Sequence, residues 1–403
     1  MYPSVDEIGK QLTEDEFYRQ RLSAAGWVHN PSLVGHILSG NYTDITPLHV
    51  ELCSTYLCNF NCPWCSCRKS RTMHSKQKHT LTYTELCRIL NECALHHMGV
   101  QWTGGEPLLN PDTVKAIGYG TLLGIRQCLF TNGSLLDEKI CSALLESNLT
   151  FIRISLNCAD IGYHQSFHGG ISFELSASVL KNLEHLCQYK YDGNSKVQIG
   201  ISLVIDSNNI QDFPNSVDFL VHLADQYPHS IDYIVIRAVN DDFDGIESTK
   251  DNTFDTQYHA FINGSLLEQL SSRGISVTLP NDTELPEFEC RECRGCSVFS
   301  EIAPDGTMFI CSDQYGNRDY RIGNILEKDV DTIWQSDERA EALYRHKDCF
   351  RQRRCPHYSR GWYFNMIFEQ IERYRTLDQM HVVSQWIGEL QQVIPDLQHS
   401  FFI

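Results

Sequence analysis

Three cysteines at CxxxCxxC spacing directly follow an apolar, strand-like run. Cys58, Cys62 and Cys65 lie in the stretch Cys-Asn-Phe-Asn-Cys-Pro-Trp-Cys. Three thiolates so close together can bind three irons of a cubic iron–sulfur cluster, and the fourth iron is then left open to a small molecule. A zinc knuckle and a disulfide pair are the alternatives. Zinc normally takes a fourth tight ligand, and disulfide frameworks are typical of small secreted chains.

A second motif, Gly104-Gly105-Glu106-Pro107, follows the strand-like stretch Val-Gln-Trp-Thr. Consecutive glycines permit positive φ and a close approach of backbone that other residues resist. The motif by itself could be an ordinary β-turn. Combined with the three cysteines, and with the aromatic Trp64 before the third of them, it makes the chain resemble the radical S-adenosylmethionine (radical SAM) superfamily.

The resemblance implies a role for each of these residues. Cys58, Cys62 and Cys65 would hold a [4Fe–4S] cluster whose unique iron binds the amino and carboxylate groups of S-adenosylmethionine. An electron from the cluster would break a sulfur–carbon bond and yield a 5′-deoxyadenosyl radical. The Gly104 to Pro107 turn would hydrogen-bond the methionyl amino group, with Glu106 available to balance its positive charge.

Polar residues at the ends of the next two predicted strands are further candidates for cofactor binding. Asn132 follows the third strand, and Arg153, Ser155 and Asn157 alternate along the fourth, so we expect these three on one face. Polar groups on an apolar strand need partners. The resemblance implies that Ser155 and Asn132 contact the carboxylate or ribose of the cofactor. Satisfaction by neighbouring backbone is the alternative.

The stretch Tyr163 to Gly169 departs from the related proteins. These often carry an arginine, which would grip the cofactor carboxylate, where His168 stands here. Either His168 or another cation would then take that role. The alternative is that His164 and His168 are surface loop histidines.

A cysteine-rich stretch begins after about residue 278. Its six cysteines are Cys290, Cys293, Cys296, Cys311, Cys349 and Cys355. The spacing C-x9-Gly-x4-C and a later C-x5-C resemble the SPASM or shorter Twitch extension of radical SAM enzymes, which holds auxiliary [4Fe–4S] clusters. In the full SPASM pattern, C-x2-C-x5-C-x3-C, His346 and Ser359 occupy the outer cysteine places here.

Four thiolates are enough for one auxiliary [4Fe–4S] cluster. Cys290 or Cys293, Cys296 and Cys311, with Cys349 or Cys355, could supply them. A structural zinc site is the alternative, since zinc also accepts four thiolates. The remaining cysteines are interpreted as packing residues, although Cys158 could also return a hydrogen atom to a substrate radical.

Composition limits the class of protein. The chain has 403 residues and a formal net charge of -18, which argues against a nucleic-acid partner because phosphates need a basic surface. It has no apolar run long enough to span a membrane and shows no apolar secretory segment at its start. We therefore expect a cytoplasmic protein whose 17 cysteines are reduced or metal-bound.

The alternation of strand-like and helical segments predicts parallel βαβ units. Six strands are predicted at 48–55, 99–103, 127–131, 151–157, 197–206 and 233–239, and helices at 82–97, 137–147, 172–189 and 214–227. This pattern resembles the α/β partial (βα)6 barrel of the radical SAM fold. We expect an N-terminal helical extension (1–46), the barrel (47–278), the SPASM/Twitch-like auxiliary domain (279–360) and a C-terminal helical tail (361–403).

The expected function is hydrogen-atom abstraction by a radical SAM enzyme. Many SPASM-bearing relatives act on peptides, so the resemblance favours crosslinking, oxidation or epimerisation of a ribosomally made precursor peptide. Flavodoxin or ferredoxin would supply the electron. A dehydrogenase or epimerase of a sugar, aminocyclitol or other small molecule is the alternative, and a non-catalytic iron–sulfur or zinc-binding protein is an alternative of another class.

Overall fold

The computed structural model describes residues 27–65, 67, 80–239, 253–279, 292–311, 314–346 and 360–393. The strands are β1 His49–Cys53, β2 Gly99–Thr103, β3 Gln127–Thr131, β4 Leu149–Ser155, β5 Gln198–Ile205, β6 Tyr233–Ala238, β7 Ser276–Thr278, β8 Phe299–Ile302, β9 Thr307–Phe309 and β10 Arg321–Asn324. The α-helices are α1 Pro31–Ser39, α2 Tyr83–Leu95, α3 Thr113–Leu122, α4 Glu138–Glu146, α5 Ile161–Phe167, α6 Phe173–Gly193, α7 Phe213–Gln226, α8 Phe254–Ile262, α9 Glu268–Ser271, α10 Val330–Trp334, α11 Asp337–His346, α12 Arg360–Thr376 and α13 Met380–Val393.

The chain divides into two compact units, and neither is a continuous stretch of sequence. The barrel unit comprises Cys53–Cys87 and Trp102–Pro280. The auxiliary unit comprises Met1–Leu52, Arg88–Gln101 and Asn281–Ile403. The boundary falls inside β1, α2 and β2, so each unit contains part of these three elements.

Parallel strands alternate with helices in the barrel unit. Strands β3, β4, β5, β6 and β7 are hydrogen-bonded in that order, and every pairing is parallel. Strand β5 is buried along nearly its whole length, as expected where helices cover both faces of a parallel sheet. The α/β class predicted from the sequence is confirmed, and all six predicted strands correspond to β1 through β6.

Side-chain caps explain where several helices begin. Asp137 Oδ1 accepts a hydrogen bond from the Ile140 backbone N–H at 2.8 Å before α4, and Ser172 Oγ does so from Leu175 at 3.2 Å before α6. The four predicted helices correspond to α2, α4, α6 and α7. The sequence pattern did not predict the shorter helices α3 and α5.

The auxiliary unit joins chain segments that are far apart in sequence. In this unit β8 runs parallel to β1, and β9 and β10 follow as antiparallel neighbours. A single apolar cluster contains Trp27, Ile37, Phe364 and Phe368, so the described N-terminal segment packs on the C-terminal helices. Residues 1–26 of the predicted N-terminal helical extension (1–46) lie outside the described residues.

Membrane insertion is not indicated by the helices that the structure describes. Over the described ranges, none combines the length and the apolar composition that a membrane crossing requires.

Candidate functional site

The cysteine loop, residues 58–65, lies in the barrel unit just after the end of β1. Cys62 is buried, and Cys58 and Cys65 are half-buried. The Phe60 backbone N–H donates to Cys58 Sγ at 3.4 Å, and the Cys65 N–H donates to the Cys62 carbonyl at 3.3 Å. The three predicted thiols are therefore on one short loop that is folded back on itself.

The Gly104 to Pro107 turn packs against the chain segment that enters the cysteine loop. The Gly105 N–H donates to the Thr55 carbonyl at 2.9 Å, and the Glu106 N–H donates to the Leu57 carbonyl at 2.7 Å. A Cβ atom on Gly105 would lie 1.9 Å from the Leu57 carbonyl oxygen, and Gly104 has a φ of 128°. No residue with a side chain could approach so closely.

Glu106 connects this turn to the end of β3. Its side chain is 1% exposed. Oε1 accepts from Thr131 Oγ1 at 2.7 Å and from the Leu108 N–H at 3.1 Å, and Oε2 accepts from the Asn132 N–H at 2.7 Å. Burial raises the pKa of Glu106 to about 7, although these three hydrogen bonds lower it. The carboxyl group therefore titrates near neutral pH.

Asn132 contacts the cysteine loop through its side chain. Asn132 Nδ2 donates to Asn59 Oδ1 at 2.8 Å, and Asn59 Nδ2 donates to Ser134 Oγ at 2.8 Å. Ser134 Oγ donates to Asn132 Oδ1 at 2.6 Å. Asn132 was predicted from the sequence, but Asn59 and Ser134 were not. The sequence did contain a signal for each of them: Asn59 is a polar residue between two motif cysteines, and Ser134 directly follows Asn132-Gly133.

The end of helix α5 contacts the other side of the cysteine loop. Trp64 Nε1 donates to the Phe167 carbonyl at 3.0 Å, and the two rings stack with centroids 5.1 Å apart. The Asn61 N–H donates to the His168 carbonyl at 3.2 Å. A Cβ atom on Gly169, whose φ is +84°, would lie 2.2 Å from the Asn61 carbonyl oxygen.

His164 and His168 are buried, so the alternative that they are surface loop residues is wrong. His168 Nδ1 is 2.8 Å from the His164 carbonyl oxygen, and Nε2 is 3.0 Å from Asn157 Nδ2. Burial lowers the pKa of His168 well below its ordinary value, and burial lowers that of His164 to about 4. Both imidazoles are neutral at pH 7, and His168 uses both ring nitrogens within the protein.

The end of β4 differs from the sequence-based expectation. The strand ends at Ser155, which is half-buried beside Ser202 of β5. Asn157 has a φ of 60°, so it does not share a face with Arg153 and Ser155, and that expectation is wrong. Instead Asn157 Oδ1 accepts from the Val204 N–H at 2.8 Å. This hydrogen bond to the neighbouring strand β5 holds the turn in place.

Three of the six auxiliary cysteines lie within the described residues. These are Cys293, Cys296 and Cys311, whereas Cys290, Cys349 and Cys355 lie outside the described residues. The Sγ atoms of Cys293 and Cys296 and a ring nitrogen of His346 all lie within 4.8 Å of one another. Thus the structure adds a histidine that was not predicted as a ligand.

The Cys293 turn is held by α12. Asn365 Oδ1 accepts from the Arg294 N–H at 2.7 Å and from the Gly295 N–H at 2.8 Å, and Asn365 Nδ2 donates to Cys293 Sγ at 3.1 Å. The pKa of the Cys293 thiol is well below its ordinary value, first because Cys296 donates to it and then because of His346 and Asn365. This environment stabilises a thiolate, the form that binds metals.

Comparison with protein families gives matches over both regions. Residues 52–220 match the family model described as the Radical SAM superfamily. Residues 293–357 match the SPASM model, described as an iron-sulfur cluster-binding domain. The first match contains the cysteine loop and the Gly104 to Pro107 turn, and the second contains Cys293, Cys296 and His346.

Individual proteins show similarity at low sequence identity. The chain is 23% identical over 300 residues to the AdoMet-dependent heme synthase of Methanosarcina barkeri, and the aligned region covers 70% of this chain and 80% of that protein. It is 31% identical over 101 residues to the PqqA peptide cyclase of Gluconobacter oxydans, over 25% of this chain and 28% of the relative.

The fold resembles that of a solved structure from Streptococcus suis. The SuiB structure gives a TM-score of 0.58 at 17% identity and covers 80% of this chain and 72% of SuiB. SuiB bound to the precursor peptide SuiA gives a TM-score of 0.56 at 16% identity, over 77% and 70% of the two chains.

Proposed function

Because the chain belongs to the radical SAM superfamily and carries a SPASM domain, we propose that it abstracts a hydrogen atom from a ribosomally made precursor peptide. The outcome would be a crosslink, an oxidation or an epimerisation of that peptide. The protein would act in the cytoplasm with flavodoxin or ferredoxin as reductant. The Radical SAM domain implies S-adenosylmethionine and a [4Fe–4S] cluster as cofactors, and the SPASM domain implies a further iron–sulfur cluster.

One observation carries the catalytic part of the proposal. The Gly104 to Pro107 turn is hydrogen-bonded to residues 55 and 57, immediately before the three clustered thiols. Motifs that are separate in sequence are thus adjacent in the barrel unit. The donor set fits a cubic cluster with one open iron, because the three thiols of Cys58, Cys62 and Cys65 lie on one short loop.

Each residue then has a proposed role. Cys58, Cys62 and Cys65 would ligate the cluster, which when bound would supply the electron for reductive cleavage of S-adenosylmethionine. The backbone of Gly104 and Gly105 would bind the cofactor's amino group. Glu106 is buried and already accepts three hydrogen bonds, so it would position the Gly104 to Pro107 turn, and its ionised form would add negative charge there.

Other predicted site residues have less direct roles in this proposal. Asn132 and Trp64 hold the cysteine loop, through Asn59 and the Phe167 carbonyl. Ser155 is half-buried at the end of β4 and would contact the cofactor carboxylate or ribose. His168 is a positioning residue. Its imidazole is neutral and both ring nitrogens are already hydrogen-bonded within the protein, so it has no charge with which to bind a carboxylate.

The peptide substrate is supported by similarity, not by the geometry of the site. SuiB has been solved with a precursor peptide, and the relative from Gluconobacter oxydans is named a peptide cyclase. A shared fold permits more than one substrate class. The substrate therefore needs a direct test that is separate from the test of radical chemistry.

The radical chemistry is tested by cofactor cleavage. Anaerobically reconstituted protein, dithionite and S-adenosylmethionine should yield 5′-deoxyadenosine, and C58A, C62A and C65A should each reduce the product to background. Cys67, two residues after the last motif cysteine, provides the control variant C67A, which should retain the product. Product formation that persists in the motif variants would contradict the site assignment, and its absence from wild type would favour a non-catalytic iron–sulfur protein.

The substrate is tested by label transfer. Perdeuterated candidate precursor peptides and deuterated aminocyclitols or sugars would be offered separately, and 5′-deoxyadenosine would be analysed by mass spectrometry. Deuterium transfer from a peptide, together with a mass change in that peptide, is the expected result. Transfer from the small molecules alone would support the dehydrogenase or epimerase alternative.

A further inference from the structure

The SPASM region places a histidine among its cysteines. A ring nitrogen of His346 and the Sγ atoms of Cys293 and Cys296 lie within 4.8 Å of one another. His346 is 3% exposed and Cys296 is 5% exposed. Sulfur and imidazole donors that converge in a buried position form a set that iron and zinc both accept.

The position of His346 in the sequence agrees with this geometry. His346 precedes Cys349 by three residues, and this is the place of the first cysteine in the C-x2-C-x5-C-x3-C pattern. The chain therefore has an imidazole donor where the pattern has a thiolate donor. Tyr320 lies edge-on to the His346 ring with centroids 5.5 Å apart, which restricts the orientation of the ring.

The surroundings favour a negatively charged centre. Arg339 is 4% exposed and precedes His346 by about two turns on helix α11. Its Nη1 donates to the Trp334 carbonyl at 3.1 Å, whereas its buried Nη2 donates to no atom among the described residues. A buried guanidinium normally faces an anionic partner. Cys311 supplies a third thiol of this region, because it follows β9 and completes the C-x9-Gly-x4-C spacing that begins at Cys296.

We infer that His346 ligates the auxiliary iron–sulfur cluster together with Cys293, Cys296 and Cys311. The inference rests on the proposed auxiliary cluster but not on the proposed peptide substrate. On ligation each thiol releases its proton to solvent, and the neutral imidazole donates a lone pair. No oxidation state changes, so no further reactant is required.

Histidine ligation changes the redox property of the cluster. A neutral imidazole in place of a thiolate makes the ligated cluster one unit less negative, so the reduced form becomes easier to reach. Replacement of cysteine by histidine ligands raises the potential of two-iron clusters in the same way. The auxiliary cluster would thus be a better electron acceptor than a cluster with four cysteine ligands.

The test uses full-length C58A/C62A/C65A protein, in which the first cluster is removed. After reconstitution we expect about four irons per chain. With ¹⁵N-histidine labelling, pulsed EPR of the reduced cluster should show a strong nitrogen coupling. H346A and H346C should lose the coupling, and H381A, at an exposed position on α13, should keep it. H346C should also have a lower reduction midpoint.

Three results would overturn the inference. The first is a reduced cluster without nitrogen coupling, the second is a coupling that persists in H346A and H346C, and the third is one zinc and no iron in this protein. The labelled protein with His346 intact gives a decisive spectrum even if a variant does not fold. Since this protein cannot cleave S-adenosylmethionine, failure here is distinguishable from failure of the proposed function.

Discussion

The two metal-ligand regions are built in opposite ways. The cysteine loop carries its three thiols within residues 58–65. Backbone hydrogen bonds hold the loop at Asn61 and hold the residues just before it at Thr55 and Leu57. The second region brings together Cys293 and Cys296 with His346, some fifty residues later in the chain. The first is a local motif stabilised by tertiary contacts, whereas the second exists only because of tertiary contacts.

The two regions also differ in the residues that stabilise them. Around the cysteine loop two backbone segments approach the chain very closely, and glycines allow this at Gly105 and Gly169. Around Cys293 a single side chain, Asn365, supplies three hydrogen bonds. We therefore expect glycine substitutions to damage the first region and side-chain truncations to damage the second.

The largest effect is expected for G105A. Its Cβ atom would lie 1.9 Å from the Leu57 carbonyl oxygen, so the turn and the cysteine loop cannot keep their contact. The variant should lose 5′-deoxyadenosine formation and about four of about eight irons, with the auxiliary cluster retained. Iron analysis and product assay measure this.

G118A is the matched control for that variant. Gly118 lies in α3, where a Cβ atom would meet nothing within 4 Å. Alanine there should raise helix stability by about 0.5–1 kcal/mol and leave activity unchanged. Equal behaviour of the two variants would mean that the turn does not support the loop.

Glu106 gives the barrel unit a pH dependence. Burial raises the pKa of the carboxyl group in the folded protein to about 7 from an ordinary 4.5, so the protonated carboxyl group favours the folded state. This contribution to the free energy of unfolding is fully present below about pH 4.5 and is lost as pH rises through about 7. The total loss is at most ~3 kcal/mol. Urea unfolding of cofactor-free wild type and E106Q between pH 4.5 and 8 should show this loss only in wild type. A wild type that gains stability relative to E106Q as pH rises would contradict the assignment.

G169A should destabilise the contact between the end of α5 and the cysteine loop by about 1–3 kcal/mol through overpacking. Its Cβ atom would lie 2.2 Å from the Asn61 carbonyl oxygen. Gly170 offers a close control, because its φ is also positive, at +75°, but nothing lies within 4 Å of its Cβ position. Thermal unfolding and the rate of iron loss to a chelator should be changed more in G169A than in G170A, and similar changes would show that only backbone strain matters.

The smallest effect is expected in the auxiliary unit. N365A removes the acceptor of the Arg294 and Gly295 N–H groups, which should cost about 1–2 kcal/mol and speed iron loss from the auxiliary cluster. Q370A on the same helix should change stability by no more than about 0.5 kcal/mol. Selective loss of the cluster at the cysteine loop in N365A would refute this assignment of the contact.

Sequence reasoning found the fold class and the first region because both depend on local patterns. Strands β1 to β6 follow from apolar runs of the right length. It missed the left-handed turn at Asn157 and the burial of His164 and His168, since exposure depends on what α5 packs against. An apparent loop histidine can thus be a core residue.

By itself, the sequence determined which thiols can share a cluster at the cysteine loop, because neighbours within eight residues are held together by the covalent chain. Only the tertiary structure decided that Glu106 is buried at the end of β3 and that His346 joins Cys293. Contacts between distant residues depend on how whole elements pack, and desolvation, which shifts the pKa of Glu106, exists only after that packing has formed.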